Sequence, residues 1–310
     1  MKYIKFQDKK GTFTIQSPEN YSGLYFPLAG DGGLKSSITP NLGGDSKTDQ
    51  NHFLLEPVSI ENLHNNRSTR NFWCRIEGKG CWSATGISAE QELQKFTEAQ
   101  DKSILEAGFM WQKVTRTSAK YGLQSEITSF VDVDGAAEIE LVRIKNISEE
   151  VTKITPIAAI PLYGRSADNI RDHRHVTSLL HRINTTEYGV EVTPVLSFDE
   201  RGHQKNHTTY FVYGYSEKGD APEAFYPTVQ EFIGEGGTYL NPEAVRKNKP
   251  GRMAGSRVEG KEAMGGIRFA DVELKPQETA GFIILAGLTE KKESIAKIVV
   301  KYRTEEQVEN

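Results

Sequence analysis

The sequence of 310 residues is long enough for one large domain or two ordinary ones, and its 37% hydrophobic and 26% charged residues are typical of a globular protein. A formal net charge of −4 excludes the broadly basic surface that nucleic-acid binding requires. No run approaches the roughly 20 apolar residues of a membrane span, and the start of the chain lacks the apolar centre of a signal peptide. We therefore expect a cytoplasmic protein.

Alternation of apolar and polar residues, which is the period of a β-strand, recurs through most of the chain. Turn residues separate these segments, and the regular alternation of strands with helices that marks a parallel sheet is not found. The pattern predicts an all-β protein with a large antiparallel two-sheet sandwich. The predicted strands cover residues 11–16, 109–116, 121–132, 137–147, 188–196, 208–215 and 267–274, and the apolar run 281–287 is expected to be a strand covered on both faces.

The chain has two cysteines, Cys74 and Cys81, which are too few for a disulfide framework. They flank a glycine-bearing turn within residues 71–83, between two aromatic-rich runs, and this arrangement predicts a β-hairpin. We expect the two cysteines to be reduced core thiols that face each other across the hairpin. A zinc site would need further ligands at suitable spacing, and none lies nearby in the sequence.

Few segments carry helical signals. Ser88 begins a short segment that resembles a capping box, and Asn241 followed by Pro242 predicts a capped helix of one or two turns. The stretch 27–52, rich in Gly, Pro, Asn and Asp, is expected to be a long functional or interfacial loop.

The pattern changes at residue 289. From there Ile295, Val299 and Tyr302 recur at helical spacing, which predicts a short amphipathic helix at the end of the chain. Such a helix is marginally stable alone, so we expect it to dock on another surface.

Residues 163–182 bring together four arginines, two aspartates and three histidines. Treated as a strand, this segment would place His173 and His175 on one face and Arg174 on the other. One interpretation is that Arg171, Arg174 or His175 binds a sugar or phosphate directly, because guanidinium groups bind anions through two parallel hydrogen bonds.

Two other interpretations of this segment stay open. A metal site would add Asp168 and His181 to the pair of histidines, but one His-x-His pair is weak evidence, and we assign no metal ligand. The interpretation that we favour is a buried or interfacial polar network, since such networks resemble active sites in sequence.

Tryptophans and glycine runs have both functional and structural interpretations. Trp73, Trp82 and Trp111 could stack on sugar rings, but their strand positions favour packing in the core. The glycine runs 30–33 and 234–237 lack the strand–loop–helix order and the Lys-Ser/Thr of a phosphate loop, so we expect turns.

Four segments together resemble one family: Leu24–Gly33, Asn71–Gly86, Gly164–His175 and Gly260–Phe269. They resemble the N-terminal region of inverting glycoside phosphorylases, the cellobiose phosphorylase-like enzymes of glycoside hydrolase family ninety-four. The branch that they resemble most is the 1,2-β-oligoglucan phosphorylases. The resemblance extends over nearly the whole chain.

The resemblance implies a galactose-mutarotase-like super-sandwich, then linker helices, then an (α/α)6 barrel that carries the catalytic carboxylate and most of the phosphate site. No position of this sequence corresponds to the barrel. We accordingly expect a β-sandwich domain at 1–288 and the start of the helical linker at 289–310. We assign no catalytic residue to this chain and expect no cofactor, with inorganic phosphate as co-substrate of the full enzyme.

The function that the resemblance implies is that of the N-terminal module of a β-glucan phosphorylase. The full enzyme, of the glycosyltransferase type, would convert a β-linked gluco-oligosaccharide and phosphate to α-glucose 1-phosphate, and the module would serve dimerisation and closure of the substrate cleft. Its partners would be the oligosaccharide, the absent barrel domain or a partner chain, and a second copy. The alternatives are a mutarotase-like aldose epimerase, with His173 or His175 as acid or base, and a free carbohydrate-binding module, which exposed tryptophans would favour.

Overall fold

A computed structural model describes residues 4–21, 23–59, 63, 68–167, 174–199 and 202–309, with the backbone alone at positions 174, 175, 198 and 199. The described strands, in chain order, are β1 (Ile4–Phe6), β2 (Phe13–Gln16), β3 (Phe26–Ala29), β4 (Lys35–Ile38), β5 (Ser46–Asp49), β6 (His52–Leu55), β7 (Asn71–Ile76), β8 (Gly80–Ser83), β9 (Lys102–Gly108), β10 (Trp111–Ser118), β11 (Leu123–Val131), β12 (Ala137–Asn146), β13 (Thr152–Leu162), β14 (Arg182–Thr185), β15 (Gly189–Val192), β16 (Leu196–Asp199), β17 (Gly202–Lys205), β18 (Thr209–Ser216), β19 (Ala224–Thr228), β20 (Arg257–Glu259), β21 (Ala263–Arg268), β22 (Val272–Leu274) and β23 (Thr279–Thr289).

Helices are short and few in the same part of the chain. They are α1 (Ala89–Gln94), α2 (Arg174–Ser178), α3 (Val229–Ile233), α4 (Glu243–Arg246), α5 (Lys292–Lys301) and α6 (Glu305–Glu309), with a 3-10 turn at Pro18–Asn20. None of these helices has the length and apolar character that a membrane crossing requires.

The strands pair antiparallel and form two main sheets. The large sheet has eleven strands, in the order β1, β2, β9, β10, β11, β12, β23, β18, β15, β14, β20. The small sheet has the order β19, β21, β13, β7, β8, with β22 paired to β13. β3 to β6 make a four-stranded sheet, and β16 pairs with β17. This arrangement confirms the predicted all-β super-sandwich.

The main core fills the space between the inner face of the large sheet and the other sheets. Leu123, Ile127 and Ile284 of the large sheet pack in one cluster with Phe72 and Ile160 of the small sheet. Along β10 and β11 every second residue is buried, because one face of these strands packs on the core and the other faces outward.

Helix α5 covers the outer face of the central strands of the large sheet. Ile295, Ile298 and Tyr302 pack in one cluster with Ile283 of β23 and with neighbouring residues of β12 and β18. The predicted C-terminal helix is thus confirmed, and it docks on this domain, although Ile298 rather than Val299 is its second buried residue. Strand β23 is covered on both faces, as its apolar sequence predicted.

Three predicted strands differ from the observed ones. The strand expected at 109–116 begins at Trp111, after a turn in which Met110 has φ +60° and no glycine signals the reversal. The strand expected at 188–196 is divided at Pro194, which has no N–H to donate to a ladder. The strand expected at 267–274 is divided between β21 and β22.

The stretch 27–52 is not a long loop, and this prediction was wrong. It contributes to the four short strands β3 to β6, which are joined by turns at 30–34, 39–45 and 50–51. Gly33 and Gly44 adopt φ values of +92° and +116° in these turns, and a Cβ at Gly44 would lie 2.0 Å from the carbonyl oxygen of Ser37. Strands of four residues are too short for their alternation to be recognised.

The hairpin around the two cysteines exists, but the thiols do not face each other. In the observed register Cys74 lies opposite Trp82, and Arg75 lies opposite Cys81. Because side chains alternate between faces along a strand, the two cysteines lie on opposite faces of the small sheet. Both are free thiols.

The predicted helix caps are confirmed in one case and displaced in the other. The Ser88 hydroxyl accepts the backbone N–H of Gln91 at 3.1 Å and donates to the Gln91 side chain at 2.7 Å. Pro242, rather than Asn241, occupies the cap position before α4.

The docking of α5 can be tested by cavity formation. We expect Ile298→Ala to lower the free energy of unfolding by about 2–5 kcal/mol, because Ile298 is buried and its truncation leaves a cavity. Val300→Ala is the matched control on the same helix, since Val300 is 69% exposed and its change should stay within about 0.5 kcal/mol. Urea unfolding measures both, and equal effects would contradict the docking of α5.

Candidate functional site

The three residues predicted to bind substrate cannot be placed with their side chains. Arg171 lies outside the described residues, as do Asp168 and His173. Arg174 and His175 begin α2, whose backbone is described but not these two side chains. Residues 174–178 are helical, so the alternation of a strand does not apply to them. Direct binding by Arg171, Arg174 and His175 stays a prediction.

The described part of the predicted cluster is a buried polar network. Arg165 and Ser166 are buried, and His181 is fully buried. The Arg165 Nε–H donates to His181 Nε2 at 3.4 Å, and the guanidinium lies 5.2 Å from the ring centroid of Tyr163. His181 Nδ1 lies 3.1 Å from the Lys261 carbonyl oxygen, which can only accept, so Nδ1 carries the proton. The lone pair of Nε2 therefore faces Arg165.

Backbone hydrogen bonds attach this network to the β5–β6 hairpin. The Gly164 N–H donates to the Phe53 carbonyl at 3.0 Å, and the Phe53 N–H donates to the Arg165 carbonyl at 2.9 Å. The Ala167 N–H donates to the carbonyl of Gln50, in the turn of the same hairpin, at 2.8 Å. The predicted cluster thus begins beside the turn between β5 and β6.

A cleft of about 660 Å³ lies between this turn and α5, and we call it the α5 cleft. Its lining includes carboxylates, lysines and hydroxyl groups. The side chains that give it this character belong to Thr48, Asp49, His52, Asp132, Asp134, Thr208, Thr289, Glu290, Ser294, Lys297 and Lys301.

On one wall of the α5 cleft, Asp49 is held as a carboxylate. His52 Nδ1 lies 2.9 Å from Asp49 Oδ1, which also accepts the Asn51 N–H at 2.7 Å. Burial acts to raise the pKa of Asp49, but the hydrogen bonds from Asn51 and His52 outweigh it and keep the pKa below its usual value.

On the other wall, Asp132 is held by α5. Its Oδ1 accepts hydrogen bonds from Lys301 Nζ at 2.5 Å and from the Tyr302 hydroxyl at 2.8 Å. The hydrogen bond to Asp132 is the largest cause of the raised pKa of Lys301. Ionised carboxylates and hydroxyl groups of this kind can bind sugar hydroxyls, but an ion-paired carboxylate is poorly suited to donate a proton.

Sequence analysis missed a buried ion pair between the sheets. The Arg70 guanidinium donates to both carboxylate oxygens of Glu138, at 2.5 and 2.9 Å, and to the Gly44 carbonyl at 3.0 Å. The Ser36 hydroxyl donates to Glu138 at 2.6 Å. Both charged side chains are 1% exposed. At this degree of burial, the contribution of the ion pair to stability depends strongly on its geometry.

Next to this pair, three buried polar residues form a row across the large sheet. Gln112 lies opposite Ser129, and Ser129 lies opposite Glu140. We call these three residues the polar row. Gln112 Oε1, Ser129 Oγ and Glu140 Oε1 are each buried without a hydrogen-bond partner among the described residues. Burial and the charge of Glu138 raise the pKa of Glu140 well above 4.5, although Arg70 acts in the opposite direction.

The tryptophans lie largely in the interior, as their strand positions predicted. Trp73 and Trp82 are 2% and 1% exposed, and Trp111 is half-buried beside Gly108. Buried tryptophans count against a free carbohydrate-binding module that would use these rings. Among the described residues, no group of three or more His, Cys, Asp and Glu side chains is arranged to hold a metal ion.

The model of the glycosyl hydrolase 94 supersandwich domain matches residues 30–305. The chain belongs to this family. The match spans the small sheet, α5 and most of the large sheet, so the supersandwich domain includes the helix that covers the outer face. No protein with a curated description matches the chain.

Solved structures resemble this supersandwich domain at low identity. A bacterial glucoamylase complexed with acarbose is 8% identical, with a TM-score of 0.52, and the alignment covers 90% of this chain and 34% of that one. A protein from the human microbiome assigned as a kojibiose phosphorylase is 10% identical with a TM-score of 0.42, over 99% of this chain and 36% of that one. A protein from Escherichia coli K12 assigned as an aldose 1-epimerase is 9% identical with a TM-score of 0.41, and the alignment covers 86% of this chain and 99% of that one.

The likeness to the glucoamylase concerns the fold alone, because the identity is so low. The chain spans about a third of the length of the glucoamylase and of the phosphorylase. The predicted family and the predicted super-sandwich fold are thus both confirmed.

The raised pKa of Glu140 predicts a specific dependence of stability on pH. At pH values between the unfolded pKa of Glu140, near 4.5, and its higher folded pKa, the folded state binds more protons than the unfolded state. The free energy of unfolding therefore falls as pH rises through this range. We expect Glu140→Gln, which stays neutral, to flatten this fall above pH 4.5 and to be more stable than the wild type where Glu140 is ionised in the folded protein.

Chemical unfolding at a series of pH values measures this effect. Glu273→Gln is the control, because Glu273 is exposed on β22 and its replacement should leave the pH profile unchanged. Parallel profiles for the wild type and Glu140→Gln would show that Glu140 is not held neutral.

Proposed function

We propose that this chain is the N-terminal module of an inverting phosphorylase that acts on β-linked gluco-oligosaccharides, with the 1,2-β-oligoglucan phosphorylases as the branch. The full enzyme would use inorganic phosphate to release α-glucose 1-phosphate, with the catalytic acid and most of the phosphate site on a barrel domain. The observation that carries the proposal is the family match over residues 30–305. The four sequence segments that resemble these phosphorylases support the choice of branch.

The chemistry of the α5 cleft is in keeping with a module that binds but does not catalyse. Inverting phosphorolysis needs a carboxylic acid that protonates the glycosidic oxygen while phosphate attacks from the opposite face. Asp49 is hydrogen-bonded to His52, and Asp132 accepts hydrogen bonds from Lys301 and Tyr302. Acids in this state suit contact with sugar hydroxyls better than proton transfer.

We assign closure of the substrate cleft to the segment 164–182 together with the β5–β6 turn. These two segments are joined by the backbone hydrogen bond from Ala167 to Gln50. They carry the densest set of arginines, histidines and aspartates in the sequence. Such side chains suit a contact with an oligosaccharide or a polar domain surface in which water molecules mediate hydrogen bonds.

We assign dimerisation to the free edge of the large sheet at β1. An edge strand presents unpaired N–H and C=O groups that can pair with a second copy. Ile4 and Phe6 on this strand are 55% and 68% exposed, and the Phe6 ring lies 6.0 Å from that of Phe13 on β2. A second copy would cover these apolar side chains.

An activity assay on residues 1–310 tests the assignment of catalysis. We expect no release of glucose 1-phosphate from β-1,2-, β-1,3- or β-1,4-linked glucans with phosphate, because the proton donor lies on the barrel. Phosphate-dependent turnover that Asp49→Asn or Asp132→Asn removes would place the catalytic acid in the α5 cleft instead. Polarimetry on fresh α-glucose tests the epimerase alternative, which predicts acceleration that His173→Ala or His175→Ala abolishes.

Sedimentation velocity tests the proposed dimer edge. We expect the wild type to self-associate and the double variant Ile4→Lys with Phe6→Lys to raise the monomer fraction, since charges on an edge strand oppose pairing. Met253→Lys is the control, because Met253 is 70% exposed but follows α4 rather than lying on β1. A monomeric wild type at high concentration, or equal effects of both changes, would contradict this assignment.

A further inference from the structure

A second cleft, of about 490 Å³, opens beside the hairpin of β7 and β8, and we call it the hairpin cleft. The starts of α1 and α4 and the loop before each of them complete its walls. The charged side chains in its lining are Arg75, Lys79, Lys120, Arg246 and Glu90. Four cationic groups therefore face one carboxylate.

The single carboxylate of the lining is already neutralised. Glu90 accepts hydrogen bonds from Lys120 Nζ at 2.6 Å and from the Tyr121 hydroxyl at 2.8 Å. Burial acts to raise the pKa of Glu90, but these hydrogen bonds hold it below its usual value. Lys120 and Glu90 cancel each other, which leaves the charges of Arg75, Lys79 and Arg246 in excess.

These three cations have no ion-pair partner in the described part of the chain. Arg75 lies directly opposite Cys81 in the strand register. Arg75, Lys79, Arg246 and the half-buried Cys81 all line the same cleft. Burial raises the pKa of the Cys81 thiol, and the charges of Arg75 and Arg246 both act to lower it.

The lining also holds a hydrogen-bond donor without an acceptor. Trp73 is 2% exposed, and its indole Nε1–H is buried with no acceptor among the described residues. Trp73 and Arg75 are two residues apart on β7, so they share the face of the small sheet on which Cys81 lies. An indole N–H that stays unpaired in the protein interior lowers stability.

The hairpin cleft lies at the β8 edge of the small sheet, and the turn between β7 and β8 positions part of its lining. The turn of residues 77–79 pairs Ile76 with Gly80 and so determines which side chains share the outer face. Gly78 and Gly80 adopt φ values of +71° and +121°, which favour glycine and allow this short turn to place Lys79 at the rim.

We propose that the hairpin cleft binds a phosphate group, carried by free inorganic phosphate or by a phosphorylated sugar. Two guanidinium groups provide planar, paired N–H donors that match phosphate oxygens, and Lys79 adds a mobile positive charge. This site is separate from the α5 cleft and does not depend on the proposed phosphorylase function. It lies on the small sheet, beside the hairpin of β7 and β8.

Alkylation of Cys81 by iodoacetamide, followed by mass spectrometry, reports occupancy of the cleft. Inorganic phosphate and glucose 6-phosphate are tested in separate arms, with chloride at matched ionic strength as the reference. If the bound anion blocks the thiol, the labelling rate falls by the factor 1 + [L]/Kd, which is about tenfold at about nine times Kd. Cys74 is fully buried, so its labelling reports unfolding in the same sample.

Arg75→Gln, Arg246→Gln and the double variant should lose the protection. For each variant, the labelling rate of Cys81 with anion is compared with the rate of the same variant without anion. Arg257→Gln is the matched control, because Arg257 is exposed on β20 outside the cleft and its protection should be unchanged. Protection by glucose 6-phosphate alone would identify the phosphorylated sugar as the source, and equal protection in both arms would identify the phosphate group itself. Protection no greater than in chloride, or protection that survives in the double variant, would overturn the proposal.

Discussion

Burial of the central strands of the large sheet on both faces is the constraint on which the rest of the structure depends. The inner face packs on the small sheet, and α5 covers the outer face of β12, β18 and β23. A strand buried on both faces has no solvent side on which to place charged residues. Any charge on such a strand must find a partner inside the protein, and the polar interior of this domain follows from that requirement.

Strand β12 illustrates the consequence. Ile139 and Leu141 pack in the cluster under α5, which leaves Glu138 and Glu140 on the face between the sheets. Glu138 is compensated by Arg70, whereas Glu140 lies 3.9 Å from the same guanidinium. One cation cannot fully neutralise two buried carboxylates, so burial and the charge of Glu138 raise the pKa of Glu140.

The two clefts differ in how their charges are balanced, and this difference separates their chemistry. In the α5 cleft, Asp49 is hydrogen-bonded to His52 and Asp132 is paired with Lys301, which suits contact with neutral sugar hydroxyls. In the hairpin cleft, the cations outnumber the single carboxylate, which suits an anion. A module with both features would contact two chemically distinct ligands at separate places.

Much of the fold and little of the site could be predicted from the sequence. Long alternating segments such as 121–132 and 137–147 identified strands correctly, because their period is visible without knowing what they pack against. The short strands β3 to β6 were taken for a loop, since four residues give too few repeats. The turn at Met110 carries no glycine, so the start of β10 was misplaced.

The alternation of β12 determined that Ile139 and Leu141 share one face, but not which face lies between the sheets. Alternation alone would place the apolar face of β12 between the sheets. Instead α5, a helix distant in sequence, covers that face, and Glu138 and Glu140 therefore lie between the sheets. In the same way, the sequence determined the hairpin of Cys74 and Cys81, whereas the register placed Cys81 beside Arg75. Local pattern determines the strands, and the assembly of distant segments determines which charges meet.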